Sequence, residues 1–159
     1  MVHEQRAALA DIRHFLSRRR LAIVGVSRNP RDFTRSLFRE FASRGYDVVP
    51  VHPGVEEIEG HRCYARIQEI APPVDAVLVL TAPAVTNEIV HDCAEAGVRE
   101  VWMHRASGSG AVSPEAIAYC EANGIHVIPG ECPFMFLPDA GFPHGVHGFV
   151  RRITGRYPH

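Results

Sequence analysis

Apolar residues along this chain recur at helical spacing in some stretches and form short continuous runs in others. The helical spacing predicts helices over about 4–18, 34–44, 84–96 and 114–123, and a last short helix over about 144–153. The continuous runs predict strands over about 21–26, 47–51, 76–80, 100–103 and 125–128. The stretch from 54 to 70 is expected to be mostly connection, with one helical turn near Ile67.

The helix ends carry their own signals. Gly45, Gly97 and Gly124 each follow a predicted helix, where a glycine closes the last turn. Ser113 followed by Pro114 is typical of a helix start. These signals support the alternation of helices and strands along the chain.

Strands that alternate with helices predict an α/β fold, a Rossmann-like doubly wound parallel sheet of about five strands with helices on both faces. Counting the strands along the chain, we expect the order 3-2-1-4-5. This order places a pocket at the carboxyl ends of strands one and four. The loops 25–35, 52–54, 81–84 and 104–112 all fall on that edge of the sheet.

A glycine turn follows the first predicted strand. The apolar run that begins at Leu21 ends at Gly25, and a helical segment comes after it. In such a unit, backbone N–H groups and a helix N-terminus meet an anionic ligand. Two explanations of Gly25 stay open: a tight turn, and close approach to a phosphate group.

Arginines are concentrated after this turn, at positions 28, 31 and 35. Guanidinium groups bind phosphate in a bidentate manner, so the position of Arg28, Arg31 and Arg35 predicts a phosphate-rich ligand. The alternative is ordinary solvated surface charge. Arg35 falls within a predicted helix, where its side chain is expected to point to solvent.

The end of the second predicted strand argues against NAD as the ligand. NAD-binding folds place a carboxylate there, roughly 20 residues after the glycine turn, to bind the ribose. Here the strand is followed by His52, Pro53 and Gly54. Asn29 and Pro30 also stand where the dinucleotide fingerprint requires glycine. Pro53 instead offers a flat apolar surface for an adenine ring.

Composition and charge narrow the class of protein. The 159 residues, 46% hydrophobic and 22% charged, predict one globular domain over 1–159. The net charge of −1 argues against a nucleic-acid partner, and no apolar run is long enough to span a membrane. Residues 1–20 lack the apolar core of a signal peptide, and the four cysteines form no CxxC pair. We therefore expect reduced thiols and a cytoplasmic location.

Histidine and cysteine residues raise two further possibilities. His144 and His147 lie three apart, with Cys132 upstream, and nitrogen and sulfur are zinc ligands. The spacing lacks a second close pair, so we expect no metal site, and Cys132 beside Pro133 is expected to pack in a turn. His104 follows the fourth strand, but no nucleophile, base and carboxylate trio surrounds it. Hydrogen bonding is expected of His104 rather than catalysis.

Several blocks of the sequence, in the same order, resemble the CoA-binding domain family. The resemblance covers about residues 18–135 and is carried by 24–30, 45–53, 60–64, 74–77, 96–103 and 124–133. The family includes small stand-alone proteins and the CoA-binding domains of succinyl-CoA synthetase and of ADP-forming acyl-CoA synthetases. The leading helix and the tail after residue 134 are peripheral to it.

The resemblance implies a Rossmann-like fold in which CoA lies over the glycine turn, with its adenine near residues 50–53. His52 replaces an asparagine usual in the family, His104 replaces a glutamine frequent in the stand-alone proteins, and 105–110 lengthens the next loop. With Arg35 and His104 added, the candidate binding residues are Gly25, Val26, Ser27, Arg28, Asn29, Arg35, His52, Pro53, Thr81, Ala82, Pro83 and His104.

The function expected from these observations is binding of coenzyme A or an acyl-CoA, a small nucleotide ligand, by a non-enzymatic carrier, sensor or subunit. No segment matches the phosphohistidine segment of the synthetases, so ligase activity is not implied. Two alternatives stay open: an NAD(P)-binding oxidoreductase, and an interaction subunit whose pocket is vestigial. The protein is expected to form a homo-oligomer or to join a partner subunit.

Overall fold

The chain folds around a five-stranded parallel sheet. The computed structural model describes residues 8–106 and 108–137. Its helices are α1 (Leu9–Ser17), α2 (Phe33–Ser43), α3 (Pro83–Ala96) and α4 (Pro114–Ala122). Its strands are β1 (Arg20–Val24), β2 (Asp47–Val51), β3 (Glu57–Ile58), β4 (His61–Arg62), β5 (Ala76–Val79), β6 (Glu100–Met103) and β7 (His126–Pro129). The α/β, Rossmann-like class predicted from the sequence is confirmed.

The order of the strands differs from the prediction. The sheet runs β2-β1-β5-β6-β7, which is 2-1-3-4-5 in the earlier counting, so the expected order 3-2-1-4-5 is wrong. Pro50 suits the edge position of β2, whose outer side carries no full strand but only a bridge between Val51 and Tyr64, where the Pro50 carbonyl accepts from the Tyr64 N–H at 3.0 Å. By contrast, all four residues of β5 are buried, as a central strand requires. The switch point of the sheet therefore lies between β1 and β5.

Side chains of alternate strand residues pack into two separate hydrophobic cores, one on each face of the sheet. On one face, α1 and α2 pack over side chains that include Leu21, Ile23, Leu78 and Trp102. On the other face, α3, α4 and the short turn Ile67–Glu69 pack over Ala22, Val24, Val77, Val79 and Val101. The helices that follow β1 and β5 thus leave the sheet toward opposite faces, which opens a crevice between their first turns.

The two-stranded hairpin of β3 and β4 was not predicted. Ile58 pairs with His61, and the two residues between them, Glu59 and Gly60, have φ of +51° and +78°. Such a two-residue turn is common in hairpins, but it usually carries asparagine or aspartate before the glycine. A glutamate before the glycine does not predict such a turn, so the sequence predicts a connection here instead of a hairpin. The 3-10 turn at Ile67–Glu69 agrees with the helical turn predicted there.

The boundaries of the helices agree with the predictions in most places. Ser113 caps α4 by accepting a hydrogen bond from the Ala116 N–H at 3.3 Å, as expected. The first helix runs over Leu9–Ser17 with Ala8 extended before it, and residues 4–7 of the predicted helix lie outside the described residues. The helix predicted over 144–153 lies outside the described residues. In the part of the chain that the structure describes, no helix has the length and apolar character to cross a membrane.

Candidate functional site

The predicted binding residues follow the carboxyl ends of four neighbouring strands or lie in an adjoining helix. Gly25, Val26, Ser27, Arg28 and Asn29 follow β1; His52 and Pro53 follow β2; Thr81, Ala82 and Pro83 follow β5; His104 follows β6; and Arg35 lies in the first turn of α2. The sheet therefore gathers them at a single edge, around the crevice between β1 and β5.

Gly25 is the point at which the β1 and β5 loops meet. Its φ is +96°, a conformation that residues with a side chain rarely adopt. A Cβ atom added to it would lie 3.0 Å from the carbonyl carbon of Leu80 and 3.1 Å from Cγ2 of Thr81. The turn thus needs glycine for its own backbone and for the approach of the β5 loop. This contact alone accounts for Gly25, whether or not a phosphate binds beside it.

The loop that follows Gly25 is held by hydrogen bonds within itself. The Ser27 N–H donates to the Thr34 hydroxyl at 2.8 Å, the Asn29 N–H to the Ser27 hydroxyl at 3.1 Å, and the Arg31 N–H to Oδ1 of Asn29 at 3.0 Å. Asp32 caps α2 by accepting from the Thr34 N–H at 2.9 Å. The Asp32 carboxylate therefore occupies the N-terminus of α2 and would repel a second anion there. The expectation that this helix end receives the ligand is not supported.

The N-terminus of α3 is better suited to an anion. It begins at Pro83 with Ala82 as the N-cap residue, and no side chain caps it. Pro83 has no N–H, and the Val85 N–H donates to the carbonyl of Ala82 at 3.0 Å, so this end offers an anion the Ala84 N–H and the positive end of the helix dipole. Just before it, the Thr81 hydroxyl lies 2.9 Å from the hydroxyl of buried Thr86. The sequence predicts these residues at this edge of the sheet without separating the two helix ends.

Arg28, His52 and Gly54 are brought together across β1 and β2. The exposed Arg28 guanidinium donates to the carbonyl of Gly54 at 3.2 Å, and the Gly54 N–H donates to Nδ1 of His52 at 3.0 Å. Burial, and then the positive charge of Arg28, lower the pKa of His52 below its ordinary value. The imidazole is therefore neutral near pH 7, with Nδ1 acting as an acceptor.

Removing the guanidinium should change how His52 titrates. We expect Arg28→Ala to raise the pKa of His52 toward its ordinary value, because one of the two causes of the shift is lost. Proton NMR of the imidazole ring across pH 4–9 (approximately the range in which histidine titrates) measures this directly. A pKa that does not move in the folded variant would show that Arg28 does not act on His52.

Arg35 supports the loop instead of pointing to solvent, and the expectation of a solvent-facing side chain is wrong. Its side chain is 11% exposed. The guanidinium donates to the carbonyls of Ser27 and Arg28 at 3.3 and 3.2 Å, and it pairs with Glu59 at 3.2 Å. Arg35 is therefore already engaged by the protein and fixes the backbone of the glycine loop.

Glu59 connects this loop to the hairpin of β3 and β4. Its carboxylate accepts from Arg39 as well as from Arg35, and Arg39 donates to the carbonyl of Pro30 at 3.0 Å. Burial raises the pKa of Glu59, but the hydrogen bonds and charges of Arg39 and Arg35 outweigh it, so the pKa lies below its ordinary value. We call Arg35, Arg39 and Glu59 the loop clamp.

The loop clamp should stabilise the fold in a pH-dependent way. Because the pKa of Glu59 is lower in the folded protein than in the unfolded chain, its contribution is complete above the ordinary carboxyl pKa and is lost as the pH falls. We expect Glu59→Gln to lower the free energy of unfolding by about 0.5–1 kcal/mol at pH 7 and hardly at all near pH 3. Urea unfolding at both pH values tests this, and an equal loss at both would contradict the ionic role of Glu59.

His104 lies on the opposite side of the crevice from His52. The backbone N–H of His104 donates to the carbonyl of Val79 at 3.0 Å, and its backbone carbonyl accepts from the Ala111 N–H at 2.8 Å. Burial lowers the pKa of the His104 imidazole, which is therefore neutral near pH 7. Nε2 is buried and has no hydrogen-bond partner in the described structure. The side-chain hydrogen bond expected of His104 is thus not made within the described residues.

The alternatives based on a metal or a reactive thiol gain no support. No group of three metal-ligating side chains is found among the described residues, and His144 and His147 lie outside them. Cys132 is buried next to Pro133, as expected of a packed turn residue. Burial raises the pKa of the Cys93 thiol, and raises that of Cys120 to about 12, so both thiols stay protonated.

The sheet order, the crevice at its switch point and the glycine turn beside it define a Rossmann-like α/β domain. Residues 19–138 match the model of the CoA binding domain family, and the chain belongs to this family. The resemblance found in the sequence is thereby confirmed over most of its length.

Three similar proteins illustrate the range of this family. An uncharacterized protein of Bacillus subtilis is 26% identical over 129 residues, which are 80% of this chain and 93% of that protein. The alpha subunit of acetate–CoA ligase (ADP-forming) II of Pyrococcus furiosus is 27% identical over 89 residues, 55% of this chain and 20% of the subunit. The solved structure of a hypothetical protein from Pyrococcus horikoshii is 26% identical, with a TM-score of 0.73 over 82% of this chain and 94% of that one.

Proposed function

We propose that this protein binds coenzyme A, or an acyl-CoA, in the crevice between β1 and β5 and acts as a non-enzymatic carrier, sensor or subunit. The observation that carries the proposal is the uncapped N-terminus of α3 beside the Gly25 turn, in a domain of the CoA-binding family. A diphosphate suits this helix end, where the Ala84 N–H and the helix dipole favour negative charge.

The nucleotide end of the ligand fits the β2 side of the crevice. Arg28 is exposed there and lies against Gly54, beside the neutral imidazole of His52. A guanidinium is suited to the 3′-phosphate of CoA, and Pro53 and the uncharged His52 are suited to the face of the adenine ring. In this arrangement Ser27 and Asn29 shape the loop while Arg28 makes the charged contact.

The same residues disfavour NAD. NAD-binding folds place a carboxylate after this strand to bind the ribose hydroxyls, but none of the residues directly after β2, His52, Pro53 and Gly54, is acidic. The charged group near this position, Arg28, is positive and favours a phosphate. NADP⁺ also carries such a phosphate, so it is the more demanding competitor in any binding test.

Thermal denaturation and isothermal titration calorimetry with CoA, NADP⁺ and NAD⁺ test the proposal. CoA at 100 times its Kd should stabilise the protein by about 2.7 kcal/mol, whereas the two dinucleotides should give much smaller shifts. Stabilisation by NAD⁺ or NADP⁺ alone would favour the oxidoreductase alternative and overturn the proposal. No response to any ligand, together with stable association with another chain, would favour an interaction subunit.

A further inference from the structure

Phe33 is a large aromatic side chain left exposed at the edge of the crevice. It is the first residue of α2 and is 40% exposed. Among the described residues, Phe33 shares this combination of size and exposure with Val85, which lies in the first turn of α3. Both side chains therefore stand at the first turns of the two helices that border the switch point.

Phe33 forms a cluster with two other rings. Its ring centroid lies 5.6 Å from that of His104 and 5.6 Å from that of Phe134, with the two phenyl rings nearly edge to face. We call Phe33, His104 and Phe134 the aromatic corner. Burial lowers the pKa of His104, so all three rings are uncharged near pH 7, and Nε2 of His104 lacks a partner in the described structure. The exposed part of the corner is therefore the apolar ring of Phe33, while Phe134 and Nε2 of His104 are buried behind it.

The aromatic corner lies on the far side of the crevice from the nucleotide end. His104 follows β6, whereas Arg28 bonds to the loop after β2, and the sheet order puts three strand spacings, about 14 Å, between β2 and β6. A long ligand whose phosphates lie at the N-terminus of α3 and whose adenine lies by His52 would extend its other end toward β6. In CoA that end is the thiol, to which an acyl group is attached.

We propose that the aromatic corner binds the acyl group of an acyl-CoA and that this group is apolar. The inference rests on the proposed function, because it takes the direction of the ligand from it. An exposed phenyl ring beside uncharged rings gains by burying an aliphatic chain, whereas a carboxylate placed there would lose its hydration.

Calorimetry with CoA, butyryl-CoA and succinyl-CoA tests this inference, because the two acyl groups have the same number of carbons and differ in a terminal carboxylate. The wild type should bind butyryl-CoA about tenfold more tightly than CoA or succinyl-CoA, the effect of partly burying three carbon groups. Phe33→Ala should remove this advantage and leave the affinity for CoA within about twofold, since CoA itself does not occupy the corner. Phe33→Leu, which keeps an apolar side chain, should retain most of the advantage.

Three outcomes would overturn the inference. If CoA binds and butyryl-CoA gains nothing, or if the gain survives Phe33→Ala, the aromatic corner does not hold the acyl group. If succinyl-CoA binds more tightly than butyryl-CoA, the acyl group is acidic rather than apolar. In these cases the proposed function stands, whereas a failure of all three ligands to bind the wild type overturns the proposed function as well.

Discussion

Gly25→Ala should lower the free energy of unfolding by about 2–4 kcal/mol and greatly weaken binding of CoA. The added methyl group would adopt an unfavourable φ of +96° and would lie 3.0 Å from the carbonyl carbon of Leu80. The atom in contact is part of the backbone directly after β5, so the added methyl group can be accommodated only if the loop that leads into α3 moves. Both the turn and the helix end that we propose for the diphosphate would therefore shift. Chemical denaturation and calorimetry with CoA measure the two effects.

Gly124→Ala is the matched control for this substitution. Gly124 also has a positive φ, +71°, but an added Cβ meets no atom within 4 Å. Gly124→Ala should lower the free energy of unfolding by roughly 1–2 kcal/mol, the cost of the positive φ alone, and should bind CoA as the wild type does. Equal losses of stability in the two variants would show that the contact with Leu80 costs nothing. A folded Gly25→Ala protein with unchanged CoA affinity would show that the ligand does not pass this turn.

Arg28→Ala should weaken binding of CoA by about 1.5–3 kcal/mol, the usual scale for a charge-assisted hydrogen bond. The guanidinium lies on the β2 side of the crevice, against Gly54, and is exposed to a ligand. We assign it to the 3′-phosphate, so the variant should bind dephospho-CoA almost as well as the wild type does. The loss for CoA should shrink at high salt, because exposed charge pairs are screened.

Calorimetry with both ligands and a charge-matched control decides this assignment. Arg66→Ala removes the same charge from a pair with Asp92 on α3, away from the crevice, and should leave CoA affinity unchanged. Equal losses for CoA and dephospho-CoA in Arg28→Ala would move the contact to the diphosphate. No loss for either ligand would mean that Arg28 is ordinary surface charge.

The fold class and the edge that carries the site could be predicted from the sequence, because both follow from local patterns. Apolar runs and helical spacing locate the elements, and in parallel sheets the loops after the strands meet at one edge. The order of the strands is indicated by the residue types within each strand instead of by the spacing of the elements. Pro50 within β2, and a run from 76 to 79 that is apolar on both faces, together point to an edge strand and a central strand. Together they indicate the order that the structure has, with β2 at the edge and β5 in the centre.

Other features of the site could not be predicted, because they depend on contacts between distant segments. The loop clamp joins Arg35 to Glu59, 24 residues further along the chain, across a hairpin whose turn lacks the usual residues. Arg35 therefore looked like a surface residue of a helix. The difference between the capped end of α2 and the uncapped end of α3 is, by contrast, local: Asp32 stands directly before Phe33, whereas Ala82 stands directly before Pro83, so the residue types at the two N-cap positions indicate it.

We propose that CoA lies across the Gly25 turn and the N-terminus of α3. Titration of the ¹⁵N-labelled protein with CoA, followed by amide NMR, tests it most directly. We predict that the largest shifts fall in 25–29, 52–54 and 81–84, while α1 and the beginning of β7, at the other end of the sheet, stay unchanged. Shifts confined to that other end, or none at CoA concentrations in the millimolar range, would show that CoA does not bind at this edge of the sheet.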